Sequence, residues 1–297
     1  MGRAREVTDV VVVGSGPNGL AAAVTMARAG LEVVLFEAEH TLGGGARTLD
    51  LELAGGLDHD VCSAVHPLAT ASPFLAACAL PARGAEHIAP EISYAHPLDD
   101  GRVGLAWRDL ARTAEGMGPD GPTWRRLFDP LVDDPRSVVE LTLGDMRSLP
   151  RAVRSPRGLA TAVALGARLL THGTSLGPKI FRDEPAPALL AGVAAHAIAP
   201  LPALAPAGVA LMLGTLAHAG GWTIPVGGSQ AITDALVAGL RAHGGQVRTG
   251  VRLESWRELP RARSYLLDTS TQGAAQIWGD RLPSSIARRL RQAPRGG

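Results

Sequence analysis

Residues Val10 to Val24 read VVVVGSGPNGLAAAV, and no other stretch limits the fold as strongly. Four consecutive valines suit a strand buried on both faces of a parallel sheet, because a half-exposed strand would alternate apolar and polar residues. Gly14, Gly16 and Gly19 then give the spacing G-x-G-x-x-G, and the alanine- and leucine-rich run Leu20 to Ala29 reads as a helix that Gly30 closes. Val33 to Phe36 forms a second apolar run that ends at Glu37. Strand, turn, helix and strand within about thirty residues make a βαβ unit.

This order gives the glycines a chemical purpose. Gly14 makes the tight turn, Gly16 leaves room for a pyrophosphate to approach the backbone, and Gly19 lets the helix pack closely on the strand. Ser15, Pro17 and Asn18 complete the loop, and the helix N-terminus presents free N–H groups and a positive dipole end to phosphate. Glu37, followed by Ala38, sits at the tip of the second strand, where a carboxylate can accept a ribose hydroxyl and would repel a 2′-phosphate. NADP is therefore disfavoured. NAD and FAD share the ADP half that such a unit grips, so the unit alone does not separate them. A tight turn without ligand is the bland alternative.

Bulk properties exclude several classes. The chain has 297 residues with 46% hydrophobic content, enough for a sizeable core in one large or two moderate domains. The formal net charge is +1, lysine occurs once, at Lys179, and no basic run alternates with aromatics, so nucleic acid is not an expected partner. Cys62 and Cys78 are too far apart for a C-x-x-C site, and no metal-ligand spacing appears. The opening MGRAREVTD has no apolar segment of the kind found in a signal peptide, which favours a cytoplasmic setting with reduced thiols.

Beyond the βαβ unit the character changes. From about Ser72 to Ala219 alanine-rich helical segments, such as Leu159 to Leu170, alternate with proline-rich loops. Pro185 to Thr233 carries no Asp, Glu, Lys or Arg, but Pro187, Pro200, Pro202, Pro206 and Pro225 cut it. Short buried helices lining an apolar cavity are expected there in preference to a membrane span, and shallow contact with a membrane surface is left open. After Trp222, Ser229 is a plausible N-cap for a helix carrying Ile232, Leu236 and Leu240 on one face, which Gly244 can end. Val247 and Leu253 are expected to flank a hairpin, and Tyr265 to Leu267 to form a short strand. An amphipathic turn or two follows Ser284, and the end, RQAPRGG, reads as polar and unstructured.

A second glycine loop, Leu42 to Thr48 or LGGGART, follows Glu37 closely and places a cation beside another accessible backbone. Here the sequence resembles the FAD-dependent oxidoreductases of the phytoene dehydrogenase-like group, within the amine oxidase and carotenoid desaturase superfamily. The resemblance implies that Gly44, Gly45 and Arg47, with Ala46 between them, contact the flavin nucleotide. It continues through Leu57 to Asp60, Ser63 to Pro67, Phe181 to Glu184, Leu189 to Gly192, Ala195-His196, and His218 to Gln230, HAGGWTIPVGGSQ. In the group, the backbone of a valine in a short strand meets the adenine, and Leu253 stands at that position here.

The implied fold is α/β: a Rossmann-like FAD-binding domain with a parallel sheet, interrupted by a largely helical substrate domain. The expected division is 1–75 and 219–297 for the FAD domain and 76–218 for the insertion. The implied function is FAD-dependent oxidation or isomerisation of an apolar, isoprenoid-like small molecule. The resembled proteins run on past Leu290 with a strand and helix that cover the flavin, so a truncated or frame-shifted relative is expected here, and a catalytically inactive remnant or partner subunit is one alternative. An NAD-dependent dehydrogenase is another. His59, His66, His196 and His218 are the candidate acids or bases, each more simply read as structural. Asp58 and Asp60 read as turn caps. No catalytic residue is assigned, and the sequence leaves the oligomeric state open.

Overall fold

The computed structural model describes residues 7–53, 55–145 and 147–293. The first six residues and the last four, which bear on the expected absence of a leader and on the polar tail, lie outside them. The chain divides into two compact units, one formed by residues up to Ala64, Ala77–His87 and Pro225 onward, the other by Val65–Ala76 and Ile88–Ile224. The sequence places the crossings at 75/76 and 218/219; in the structure Val65–Ala76 belongs to the second unit, Ala77–His87 to the first, and the return falls at Ile224/Pro225.

In the first unit, strand β1 (Thr8–Val13), helix α1 (Pro17–Arg28) and strand β2 (Val33–Phe36) form the βαβ unit. The sheet runs in the order Ala262–Leu267, β1, β2, Gln246–Arg248, with every neighbouring pair parallel. Val11 and Val12 are 0% exposed, as a central strand covered on both faces requires. On one face Val11, Val13, Val34 and Phe36 pack with Ile277 of the helix Thr271–Trp278. Helix α1 also packs against Gln230–Ala242, whose Ile232, Leu236 and Leu240 are buried as the spacing predicts.

Three local expectations need correction. Val247 and Leu253 do not flank a hairpin: Val247 pairs with Leu35 in a parallel edge strand, and Leu253 lies in an extended loop, half-buried against the Val11–Phe36 cluster. The amides of Gly250 and Val251 bond to Glu39 and Glu37 carbonyls, so backbone pairing with the chain after β2 takes the place of a turn. Ser229 occupies the N-cap position of its helix without capping it; its hydroxyl donates to the Ser63 carbonyl, while its amide bonds to Asp60. Arg291 and Gln292 are helical, because the last helix runs from Ser284 to Gln292.

The second unit is mainly helical. Trp124, Phe128 and Leu131 from the helix Gly121–Val132 meet Leu189 from Pro185–Ala194 and Leu211 from Leu204–Ala219 in one core. The last two helices are the short buried pair expected from the uncharged stretch, ended by the prolines between them. An antiparallel ribbon, Ile92–Pro97 with Val103–Trp107, is its sheet element that the sequence reading missed. Among the described residues no helix is long and apolar enough to cross a membrane.

Candidate dinucleotide-binding site

The first glycine loop leaves β1 at its carboxyl end. Gly14 donates its amide to Phe36 at 2.8 Å and has φ +101°, a conformation that costs an L side chain dearly. A Cβ there would lie 2.1 Å from the Asp268 carbonyl oxygen. A Cβ on Gly19 would lie 2.3 Å from the Gly14 carbonyl, so both glycines are required by the packing of turn, helix and strand before any ligand arrives. Pro17 opens α1 at the position where a missing N–H is harmless, and Asn18 beside it is exposed.

Glu37 ties this loop to the second strand. Its carboxylate accepts the Ser15 amide at 2.9 Å and the Ser15 hydroxyl at 2.5 Å, and its other oxygen accepts the Glu39 amide. Burial alone would raise its pKa; the hydrogen bonds from Ser15, Glu39 and Ala38 outweigh that and hold it below the usual carboxylate range. Glu37 is thus anionic at neutral pH.

The second glycine loop lies directly against the first. The Gly43 amide donates to Ser15 Oγ at 3.0 Å, and a Cβ on Gly44 would stand 3.0 Å from the Gly16 Cα. Gly44 to Ala46 form one 3-10 turn, with Gly45 facing Cys62 and the Ala46 carbonyl accepting from Thr233. Arg47 folds back on this turn, its Nε donating to the Gly44 carbonyl at 2.8 Å. The structure therefore brings Gly14 to Gly19, Glu37 and Gly44 to Arg47 together, with Ser15, Gly19 and Ala46 buried, Ala38 next to Glu37, and Leu253 in the loop that follows the edge strand.

The fit to an ADP group can be tested on the amides. Ser15 and Gly19 donate to Glu37 and Asp268, and Leu20 donates to the Gly16 carbonyl. The Gly16 and Asn18 amides take no acceptor from the described residues, so they stand free at the helix N-terminus. Two free amides, a φ-positive glycine turn and an ionised acid at the strand tip match what an adenosine diphosphate needs.

Sequence reasoning missed Asp268. Its carboxylate accepts the Gly19 amide at 2.7 Å, placing an acid inside the glycine loop. The available signal was positional: Asp268 is the first residue after a parallel strand, where α/β sheets gather their ligand-binding groups.

The candidate histidines are not gathered into a catalytic group. His218 is 6% exposed, with Nδ1 against the Trp107 carbonyl at 2.8 Å and Nε2 accepting the Trp124 indole N–H at 3.1 Å. His196 bonds to the Val193 carbonyl through Nδ1 and stands edge-on to Trp222. His66 pairs through its backbone with Thr223, and His59 Nε2 is buried without a partner among the described residues. Asp58 and Asp60 do not cap turns but lie in the strand Asp58–Asp60, where Asp60 accepts from the hydroxyl of its cross-strand partner Thr48 and from the distant Ser229 amide. No group of three or more His, Cys, Asp or Glu among the described residues could hold a metal.

Within the helical unit a cavity of about 230 Å³ is lined by Phe181, Leu190, Leu201 and Leu211 with His172. Burial and the nearby Arg168 charge push the His172 pKa down, so the ring is neutral and the wall carries no charge at neutral pH.

This geometry is that of a Rossmann-like α/β unit, and residues 12–76 match the family model described as an NAD(P)-binding Rossmann-like domain. The fold as a whole is similar to that of solved amine oxidases and a fatty acid isomerase. It is 27% identical over 275 residues, 81% of this chain, to pyridine nucleotide-disulfide oxidoreductase domain-containing protein 2 of Rattus norvegicus. It is 54% identical over 52 residues, 18% of this chain and 10% of the relative, to hydroxyneurosporene desaturase of Cereibacter sphaeroides. A cofactor-binding redesign of putrescine oxidase is similar in structure at TM-score 0.57 and 18% identity, covering 96% of this chain and 63% of that one. A fatty acid isomerase from P. acnes gives TM-score 0.55 at 14% identity, covering 98% and 65%. The chain spans about half the length of the rat relative, 47% of it.

Proposed function

We propose that this chain binds FAD and takes part in flavin-dependent oxidation or isomerisation of an apolar, isoprenoid-like small molecule. The observation that carries the reading is the contact of the two glycine loops through Gly16, Ser15, Gly43 and Gly44, which extends the phosphate-facing backbone beyond what one βαβ turn supplies. In this reading Gly14, Ser15, Gly16, Pro17, Asn18 and Gly19 hold the diphosphate. Glu37 and Ala38 meet the adenosine ribose, Leu253 meets the adenine through its main chain, and Gly44, Gly45, Ala46 and Arg47 hold the inner half of the nucleotide.

FAD, when bound, supplies the hydride acceptor. The chain's own residues orient it and exclude water: Glu37 stays ionised to accept a ribose hydroxyl and to reject a 2′-phosphate, and neutral His172 keeps the cavity wall free of charge. No protein base is assigned, since both His218 nitrogens are already bonded. The apolar cavity, and the exposed Leu159, Val163 and Leu170 on one face of the helix Pro156–His172, support an apolar ligand delivered at a membrane surface.

The test is the absorbance spectrum of the purified chain, followed by equilibration with FAD and gel filtration. A retained flavin spectrum supports the reading. NADH binding that FAD cannot displace would favour the NAD alternative, and retention of neither would overturn both.

A further inference from the structure

Three glycines of the first loop face the same residue. A Cβ on Gly14 would strike the Asp268 main chain, and a Cβ on either Gly16 or Gly19 would lie 2.8 Å from Asp268 Oδ2. That same oxygen accepts the Gly19 amide at 2.7 Å. The space usually credited to an incoming pyrophosphate is thus shared with a carboxylate of the chain itself, at the N-terminus of a twelve-residue helix. Asp268 reaches this place because Ala262–Leu267 runs parallel to β1 with Leu267 beside Val13, and because its own amide is fixed by the Val13 carbonyl at 2.8 Å.

We infer that Asp268 is a specificity-determining residue of the nucleotide site: a resident anion that competes with ligand phosphate for the Gly19 amide and sets how much negative charge the loop accepts. The inference rests on the dinucleotide reading above. A helix N-terminus favours one anion through its free amides, and a second anion in the same turn meets like-charge repulsion at short range. Of the loop amides, Glu37 holds Ser15 and Asp268 holds Gly19, which leaves Gly16 and Asn18 for the ligand. Releasing the Gly19 amide adds a third donor and removes one negative charge. Phosphate-bearing ligands should then gain, and ligands without phosphate should not.

The test compares the full chain with Asp268→Asn and Asp268→Ala, using ADP, FAD and adenosine as probes in calorimetric titration, after thermal unfolding has established that each variant is folded. Asparagine keeps the shape and an acceptor for Gly19, so it isolates the charge even where alanine fails to fold. The expected result is that Asp268→Asn binds ADP and FAD about tenfold or more tightly than the parent, with adenosine unchanged. Equal or weaker ADP binding by the variant, or an equal shift for adenosine, overturns the inference while leaving the dinucleotide reading intact. Failure of parent and variants alike to bind ADP or FAD overturns both.

Discussion

His218 offers a test of the helical unit that needs no ligand. Its ring lies among Trp124 and Phe128, and both nitrogens are engaged, Nδ1 donating to the Trp107 carbonyl and Nε2 accepting the Trp124 indole. Protonation would set a second N–H against the indole N–H inside the core. Burial pushes the pKa down from 6.5 to about 4, although the Trp107 and Arg108 backbone and the Asp109 charge pull the other way. In the unfolded chain the ring takes a proton near pH 6.5; in the folded chain it does so only near 4. Stability is therefore complete above pH 6.5 and is lost as the pH falls toward 4, where the unfolded state alone is protonated. At 1.36 kcal/mol per unit the loss approaches about 3 kcal/mol. Carboxylates titrate in the same range, so the measurement is a difference. Urea unfolding of the parent and of His218→Gln, followed by tryptophan fluorescence at intervals between pH 7.5 and 4, should show the parent's margin over the variant shrinking by about that amount. A margin that stays constant with pH, or a His218 ring resonance that titrates near 6.5, would refute the assignment.

The glycines of the first loop should separate by role. Gly14→Ala places a side chain at φ +101° against a main-chain carbonyl and should cost at least about 1–3 kcal/mol of thermal stability, with Gly19→Ala similarly damaging. Gly16→Ala meets only the movable Asp268 carboxylate, so it should fold with near-parental stability yet lose ADP affinity; a calorimetric scan with an ADP titration distinguishes the three. Ser15→Ala removes a bond to Glu37 and one from Gly43, and should shift Glu37 toward a higher pKa by NMR titration, with ADP binding reduced several-fold below pH 6. Val163→Asp with Leu170→Asp should reduce co-sedimentation with phospholipid vesicles; equal recovery of parent and variant would remove the membrane face.

What was legible in the sequence followed from short-range rules. Val10 to Val13, Gly14 to Gly19 and Glu37 lie within one βαβ unit, so period and spacing were enough to place them. The uncharged stretch likewise announced buried helices, because a chain without charge must cover itself. What stayed hidden depended on contacts between distant residues. Ser229 looked like a cap from its position, but its hydroxyl answers the Ser63 carbonyl, a partner no local pattern names. Val247 to Leu253 looked like a hairpin, but the edge of β2 offered Val247 a parallel ladder, which wins over a turn. Asp268 is 249 residues from the amide it holds, and only the parallel register of its strand with β1 joins them. That distance changes the meaning of the motif. Gly14 and Gly19 are needed because the returning strand ends against them, and Gly16 is the glycine whose freedom is divided between ligand and carboxylate. G-x-G-x-x-G here records the approach of residue 268 as much as the approach of a phosphate.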